Sequence, residues 1–189
     1  MKRVFGRLLI PISMILLAML ACTFFVGGPE YPTNSISTST EEVGNFYSNL
    51  QNAQTLAVQT GTIIFSINET QLTSLVSAAL ESQNDALIEK PQIYLRNGEI
   101  TAYGKVTQGN IQANVRIILT LLVNENSQPE ITVSSADFGP IKIPEGFNDT
   151  FETLIQQVLT GSIVPAATGF RLENIILSDG VLTFSGRIR

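Results

Sequence analysis

Two stretches of the chain predict β-hairpins of the same design, IYLRNGEITAYGKVT at 93–107 and IILSDGVLTFSGRIR at 175–189. Each has an apolar strand, a polar residue followed by glycine, a second strand, and another glycine six residues after the first. These glycines are Gly98 and Gly104 in the first stretch, and Gly180 and Gly186 in the second. Asn-Gly and Asp-Gly suit tight two-residue turns, because both positions tolerate positive φ. A chain with two such hairpins is expected to build an antiparallel sheet.

Each hairpin follows an extended segment and an amphipathic helix. The segments are 61–67 and 69–82 before the first hairpin, and 139–144 and 147–160 before the second. Asn68 is a candidate N-cap for the first of these helices, with Gln71 as its capping-box partner. Pro140 and Pro144 predict that the segment between them is stiff and extended. The pattern is explained either by a duplicated strand–helix–hairpin unit or by the chance likeness of two amphipathic hairpins.

Residues 110–123 predict a long strand whose second half is apolar on both faces. The odd positions are apolar throughout, while the even positions change from polar residues to Ile118 and Leu122. Apolar side chains on both faces indicate that both faces are covered there, by the protein itself or by something else. Helical spacing of apolar residues also runs through 41–58. Together these elements predict an α+β fold, in which a strongly curved antiparallel sheet wraps around the two amphipathic helices that precede the hairpins.

The N-terminus predicts attachment to a membrane, because a basic start at residues 2–7 precedes an uncharged, apolar run over 8–26. In one interpretation residues 1–21 are a lipoprotein signal peptide, cleaved before Cys22, whose thiol carries the lipid. In the other, the whole apolar run stays as a single-pass anchor, since about 20 apolar residues span a bilayer. Both interpretations place the protein on the extracytoplasmic face of the cell membrane.

The rest of the chain divides into a linker and one domain. Residues 22–40 are rich in Gly, Pro, Ser and Thr, which predicts a flexible tether. Residues 41–189 have the length of a single domain with its own core. Because Cys22 is the only cysteine, no disulfide is available to stabilise this domain.

Composition argues against several classes of function. The chain has no histidine, and its one cysteine is assigned to the signal, which excludes His-dependent triads, a thiol nucleophile and Cys-rich metal sites. Without residues 1–21, eight basic and sixteen acidic residues remain, a net charge of −8 that is unlike a nucleic-acid-binding protein. Phosphate-loop and calcium-loop patterns are absent from the sequence. We therefore expect no catalytic residue, no metal, no cofactor and no nucleic-acid partner, and the protein is not expected to be an enzyme.

The order of the motifs resembles a known family. After the strand at 61–67 come INETQLTSLVSAAL, IYLRNGEITAYGKV, a long strand, FGPIKIP, a helix and LENIILSDGVLTFSGR. This order is similar to the YpmS-like and LmeA-like bacterial extracytoplasmic proteins, small relatives of the tubular lipid-binding (TULIP-type) domains, over residues 61–189. The resemblance implies a membrane-tethered domain that holds an acyl chain or phospholipid between a curved sheet and a long helix.

Two hypotheses about function follow. In the first, the domain binds an apolar ligand, an acyl chain or a phospholipid, in a cavity between helices and sheet. The side chains expected to line that cavity are Leu72, Leu75, Val76, Ile118, Leu122, Phe147, Phe151, Leu154, Ile155 and Val158. In the second, these side chains form a solid core, and the domain is an envelope interaction or structural lipoprotein that binds a protein partner.

Overall fold

The part of the chain that the structure describes has an α+β fold, with three helices and a strongly curled, half-barrel layer of strands that divides into two hydrogen-bonded sheets. A computed structural model describes residues 23–82, 88–142, 145–147, 149, 151–153, 155–156 and 170–188. Helix α1 spans Thr40–Thr60, α2 spans Glu69–Glu81, and the described helical residues between 147 and 156 form α3. The strands are β1 Phe24–Phe25, β2 Thr62–Asn68, β3 Glu89–Arg96, β4 Glu99–Gln108, β5 Ile111–Val123, β6 Pro129–Asp137, β7 Phe170–Ser178 and β8 Val181–Ile188.

The strands form two sheets. In the larger sheet β3, β4 and β5 are antiparallel neighbours, and two strands share the far side of β5. Strand β6 pairs with β5 from Arg116 to Val123, whereas β1 pairs in parallel with its start at Ile111. The smaller sheet has the order β2-β8-β7 and is antiparallel throughout. Each sheet therefore contains one of the two predicted hairpins, extended by a third antiparallel strand.

Local sequence signals explain where the first two helices begin and end. The Ser39 hydroxyl accepts a hydrogen bond from the Glu42 N–H (3.1 Å), and Gly61 ends α1 with φ of 75°. At the start of α2, the Asn68 side chain accepts from the Gln71 N–H (2.8 Å). The Gln71 side chain accepts in return from the Asn68 N–H (3.2 Å), so the predicted capping box is confirmed.

A single cluster of buried side chains joins both sheets and all three helices. Strand β2 shows how alternation supplies it, because Ile63, Phe65 and Ile67 are buried whereas the residues between them are exposed. The rings of Phe65 and Phe184 stack between neighbouring strands, with centroids 4.9 Å apart. The concave face of the curled sheet is thus filled by helices and aromatic side chains.

Helices also cover the two edges of the larger sheet. Along β3, the Ile93 N–H donates to the Thr73 hydroxyl (3.1 Å) and the Leu95 N–H to a Glu69 carboxylate oxygen (2.7 Å), both on α2. Along β6, the Val133 N–H donates to the Glu152 carboxylate on α3 (2.7 Å). Edge strands otherwise present unpaired backbone groups that can recruit another chain. Side chains of α2 and α3 satisfy these groups within the domain.

Two sequence predictions about architecture differ from the structure. Three helices pack on the sheet rather than two, because α1 also buries a stripe that includes Phe46 and Leu50. The start of the segment predicted to be extended, 139–144, is a turn. There Gly139 has φ of 58°, and its N–H donates to the Asp137 carboxylate (2.9 Å). An Asp two residues before a glycine favours a turn more strongly than the following proline favours extension.

Candidate functional site

Six of the predicted ligand-contacting residues come together in the core. Leu72, Leu75 and Val76 on α2 and Phe147, Phe151 and Ile155 on α3 are all buried in the same cluster. The Phe147 ring lies edge-on to Phe138 with centroids 4.6 Å apart. It is stacked with Phe151 at 5.8 Å. Three other predicted site residues, Cys22, Leu154 and Val158, lie outside the described residues.

The two predicted site residues on β5 lie on the opposite face of the sheet. Ile117 and Leu119 point into the core, so the alternation of the strand sends Ile118 and Leu122 outward. Ile118 is half-buried, and the Leu122 side chain is 64% exposed. The structure therefore does not bring these two residues together with the helix residues. At Leu122 the outer face is therefore not covered by the rest of the described chain.

The stretch predicted to be a flexible tether, 22–40, packs on the larger sheet in the part that the structure describes. Phe24 and Phe25 form β1 beside β5, and residues 31–36 lie across the outer, polar face. The Ile36 N–H donates to the Gln92 side-chain oxygen (2.5 Å), and the Gln92 amide donates back to the Ile36 carbonyl (3.2 Å). The Tyr94 hydroxyl donates to the Asn34 carbonyl (2.5 Å), and the Tyr31 hydroxyl donates to the Lys90 carbonyl (2.6 Å). We call residues 31–38 the crossing segment. Its contacts make it part of the folded domain.

A groove of about 820 Å³ opens between the crossing segment, the C-terminal end of α2 and the start of β3. Its apolar floor includes Leu80 and Ile88, which belong to the core and are 5% and 4% exposed. The remaining lining is mostly polar, with Ser77, Glu81, Glu89, Lys90, Gln92 and Lys105 around it. The groove thus connects a polar rim to the apolar interior of the domain.

Tyr31 forms part of the wall of this groove and is held on both sides. Its hydroxyl donates to Lys90, and the Lys105 ammonium lies 5.8 Å from its ring centroid, within the range of a cation–π contact. Burial raises the pKa of the Tyr31 phenol, and the neighbouring Tyr94 adds to the rise. The neutral hydroxyl that donates the hydrogen bond is therefore the stable form at neutral pH.

A second, shallower depression of about 550 Å³ lies on the outer face beside the crossing segment. Tyr94 and Tyr103 meet there edge to face with centroids 5.8 Å apart. Arg96 is paired with Glu69 across the sheet edge, and Arg116 lies 4.0 Å from Asp137. Because both arginines already have carboxylate partners, this depression is a poorer anion site than its two arginines suggest.

The groove was missed from the sequence because its wall comes from the stretch interpreted as a linker. One signal was present: Tyr31 and Ile36 are the large apolar residues in an otherwise small and polar stretch from 27 to 40. Such side chains have a reason to pack when a domain surface lies within reach. Gln92 was hidden for a different reason, because a glutamine in an alternating strand normally predicts the solvent face.

Within the described residues, no group of three or more acidic or cysteine side chains is placed to hold a metal ion. None of the helices in this part of the chain is long and apolar enough to cross a membrane. The chain matches no protein-family model, and no curated protein is similar to it.

Proposed function

We propose that this protein is a non-catalytic binding module on the extracytoplasmic face of the membrane, and that it binds an acyl chain or the acyl part of a phospholipid. The observation that carries the proposal is the groove whose floor reaches the core at Leu80 and Ile88. Its volume of about 820 Å³ falls within the range of small-molecule sites, roughly 300–1,000 Å³. An apolar floor with a polar rim suits an amphiphile.

The rim supports the same ligand class. Lys90 and Lys105 lie beside the groove and could pair with a phosphate or carboxylate headgroup, while the chain of the lipid contacts the floor. The floor residue Leu80 belongs to the same core cluster as Leu72, Leu75 and Val76 on α2, so the ligand would extend the core rather than occupy a separate chamber. Under this proposal the ligand lies at the end of α2, beside the apolar stripe predicted on that helix.

Attachment to the membrane is the second part of the proposal. It is supported by the uncharged run over residues 8–26, either through a lipid on Cys22 or through a single-pass N-terminal anchor. A module with a lipid-sized groove is useful where lipids are close at hand. The resemblance to YpmS-like and LmeA-like proteins agrees with this assignment and stays a prediction.

We further propose that the two hairpins derive from a duplicated unit. The Asn97 N–H donates to the Asp179 carboxylate (3.1 Å), and these residues hold equivalent positions, 82 residues apart, in the two copies. Both hairpins also have a β-bulge opposite the second glycine, at Gly104 and at Gly186. The units differ in their first segment, since β2 is a strand and Gly139 lies in a turn.

Ligand binding is tested by native mass spectrometry of the purified domain, residues 23–189, with added phospholipid. Ser77→Trp places an indole in the groove, where Ser77 is buried, and is expected to abolish uptake. Ala78→Trp is the matched control, because Ala78 is the next residue on α2 and is exposed. Equal uptake by both folded variants, or none by the parent, would refute the groove as a lipid site.

A second candidate function is that of an interaction domain in the cell envelope, and one observation favours it. Leu122 is 64% exposed beside the half-buried Ile118 on the outer face, where it could contact a protein partner. Concentration-dependent association that Leu122→Ser removes, in a protein with no extractable lipid, would support this function. A protein that stays monomeric at every concentration would exclude self-association through Leu122.

A further inference from the structure

The described chain begins with an exposed apolar patch at one corner of the larger sheet. Phe24 and Phe25 are 62% and 57% exposed, and Val26 and Ile111 are also exposed. Strand β1 places Phe24 beside Ile111, so the four side chains belong to one edge of the fold. We call these four residues the apolar edge. Four exposed large apolar residues at one corner form a patch of the kind that marks a contact with a membrane or a protein.

This edge is continuous with the apolar N-terminal run of the sequence. No charged residue occurs from residue 8 to residue 29, nor from 106 to 115 around the β4–β5 turn. The domain elsewhere carries a net negative charge, which disfavours contact with an anionic bilayer. An uncharged corner is therefore the part of the surface that approaches such a bilayer at the lowest electrostatic cost.

The backbone that carries the apolar edge is fixed to the sheet. The Phe24 N–H donates to the Asn110 carbonyl (2.7 Å), the Val26 N–H to Gln112 (2.9 Å), and the Asn114 N–H to the Gly27 carbonyl (3.0 Å). Gly28 is packed so tightly that a Cβ there would collide with the backbone of Asn114. The chain thus leaves the domain at Phe24, with no linker between the sheet and the apolar run.

The length of chain between Cys22 and the sheet determines how far the domain lies from the membrane. From Cys22 to Phe24 the chain spans at most about 7 Å. A flexible tether over residues 23–40 would instead separate membrane and domain by about 24 Å. This is the end-to-end distance of a flexible chain, about 5–6 Å times the square root of the number of residues. A lipid on Cys22 therefore brings the apolar edge to the bilayer surface. A membrane span in the apolar run does the same when it ends before Phe24, because Phe24 and Phe25 form β1.

We infer that the domain docks directly on the lipid bilayer through Phe24, Phe25, Val26 and Ile111, in a fixed orientation. This inference rests on the membrane attachment in the proposed function. It also predicts the direction in which the groove faces. Lys105 at the groove and Gln108 beside the β4–β5 turn are three residues apart on β4, which is about 10 Å. The groove therefore opens at the membrane end, and a lipid chain can pass between bilayer and groove over a short distance.

The inference is tested with tryptophan as a depth probe, since the chain contains no tryptophan. Phe25→Trp and Leu122→Trp are made in the full chain and reconstituted into phosphatidylcholine–phosphatidylglycerol vesicles with brominated acyl chains. Leu122 is a matched control, because its exposure of 64% is similar to the 57% of Phe25 and it lies roughly 35 Å further along β5 than Ile111. The expected result is a severalfold greater loss of emission for Phe25→Trp than for Leu122→Trp. Equal, weak quenching would overturn the docking.

A second pair of variants tests the fixed orientation. Gly27→Ala and Gly28→Ala share the strain of a positive φ, but only at Gly28 does the added Cβ meet the Asn114 backbone. In the Phe25→Trp background, Gly28→Ala is expected to make quenching weaker and more variable than Gly27→Ala does. Identical quenching would mean that the hydrogen bonds of β1 do not orient the domain.

The outcomes separate this inference from the proposed function. Strong quenching of Phe25→Trp in a protein that takes up no lipid would keep the docking and refute the groove. Lipid uptake together with quenching that does not distinguish the two tryptophans would keep the groove and refute the docking. A full chain that fails to float with vesicles would overturn the membrane attachment and the docking together.

Discussion

The two ends of the larger sheet are held in different ways. At the turn end, where the hairpin turns at Asn97 and Asp179 meet, the contacts are charged: Glu69 pairs with Arg96 and also accepts from the Leu95 N–H. At the groove end, the crossing segment is held by neutral hydrogen bonds, such as the pair between Gln92 and Ile36. Charged hydrogen bonds stabilise more strongly than neutral ones.

This difference indicates which end can change shape. The turn end joins parts of the chain that are distant in sequence, since the Gly180 N–H donates to the Leu95 carbonyl (2.8 Å). The groove end is closed by residues 31–38, which bond to β3 mainly through side chains and form no strand of the sheet. Regions with fewer buried contacts open at lower free energy. We expect ligand entry to move the crossing segment while the turn end stays intact.

The largest effect is expected from Glu69→Ala at the turn end. The variant removes the acceptor of the Leu95 N–H and the partner of Arg96, which should lower the free energy of unfolding by about 3 kcal/mol. Glu99→Ala is the control, because Glu99 is exposed at the same hairpin and should change stability by about 0.5 kcal/mol or less. Urea denaturation measures both variants. Equal stabilities would contradict a stabilising role for the charged contacts of Glu69.

At the groove end, Gln92→Leu is expected to act locally. The variant loses both hydrogen bonds to Ile36 at a side chain that is 6% exposed, which should cost about 1–2 kcal/mol. Hydrogen exchange is expected to rise in residues 31–38 and to stay unchanged in β8. Faster exchange in both regions would show that the two ends unfold together, which would contradict independent opening of the groove end.

A smaller change is expected from Asp179→Ala, which tests the contact between the hairpin turns. The Asp179 carboxylate accepts from the Asn97 N–H at an exposed site, so its loss should cost about 0.5–1 kcal/mol. Asp179→Asn is the control, because an amide oxygen can still accept this bond. Thermal unfolding of both variants gives the measurement, and a stability loss in the Asn variant as large as in the Ala variant would contradict the assigned bond.

The smallest effect is expected from alkaline pH at the groove end. Burial raises the pKa of both Tyr31 and Tyr94 above the ordinary value of 10.0, and Glu69 contributes to the rise at Tyr94. Because the folded-state pKa of Tyr31 is raised, its neutral phenol makes its full contribution to the free energy of unfolding below pH 10. That contribution is lost as the pH rises through the folded-state pKa. The free energy of unfolding of Tyr31→Phe should therefore decline less above pH 10 than that of the parent protein. Denaturation at several pH values measures this difference. An identical decline would contradict the assignment.

The fold was predicted from the sequence where the signal is local. Both hairpins, the strand β5 and the helix α2 occur within a few residues of their predicted bounds, because alternation and capping depend on near neighbours. The segment 139–144 was predicted to be extended from Pro140 and Pro144 alone, whereas the Asp137 carboxylate accepts from the Gly139 N–H and stabilises a turn. The partners of the strands, such as β2 with β8 across more than a hundred residues, carry no local signal.

For the candidate site, the sequence identified the apolar stripe on α2 and α3 but not the groove. Leu72 and Phe151 are buried as their spacing predicts. Ile118 and Leu122 were grouped with them because apolar character alone does not say which face of a strand meets the helices. Tyr31 and Ile36 could not be placed, since whether a short polar stretch packs depends on the surface it meets.

The sequence by itself determined the two tight hairpins, the amphipathic helices, the uncharged run after the basic N-terminus and the lack of histidine. Only the tertiary structure decided which surfaces face each other. It placed residues 23–39 on the sheet, opened the groove at the end of α2 and left the apolar edge exposed beside the β4–β5 turn. The physical reason is that periodicity records which side of an element is apolar, whereas a groove or a docking surface depends on what long-range packing leaves uncovered.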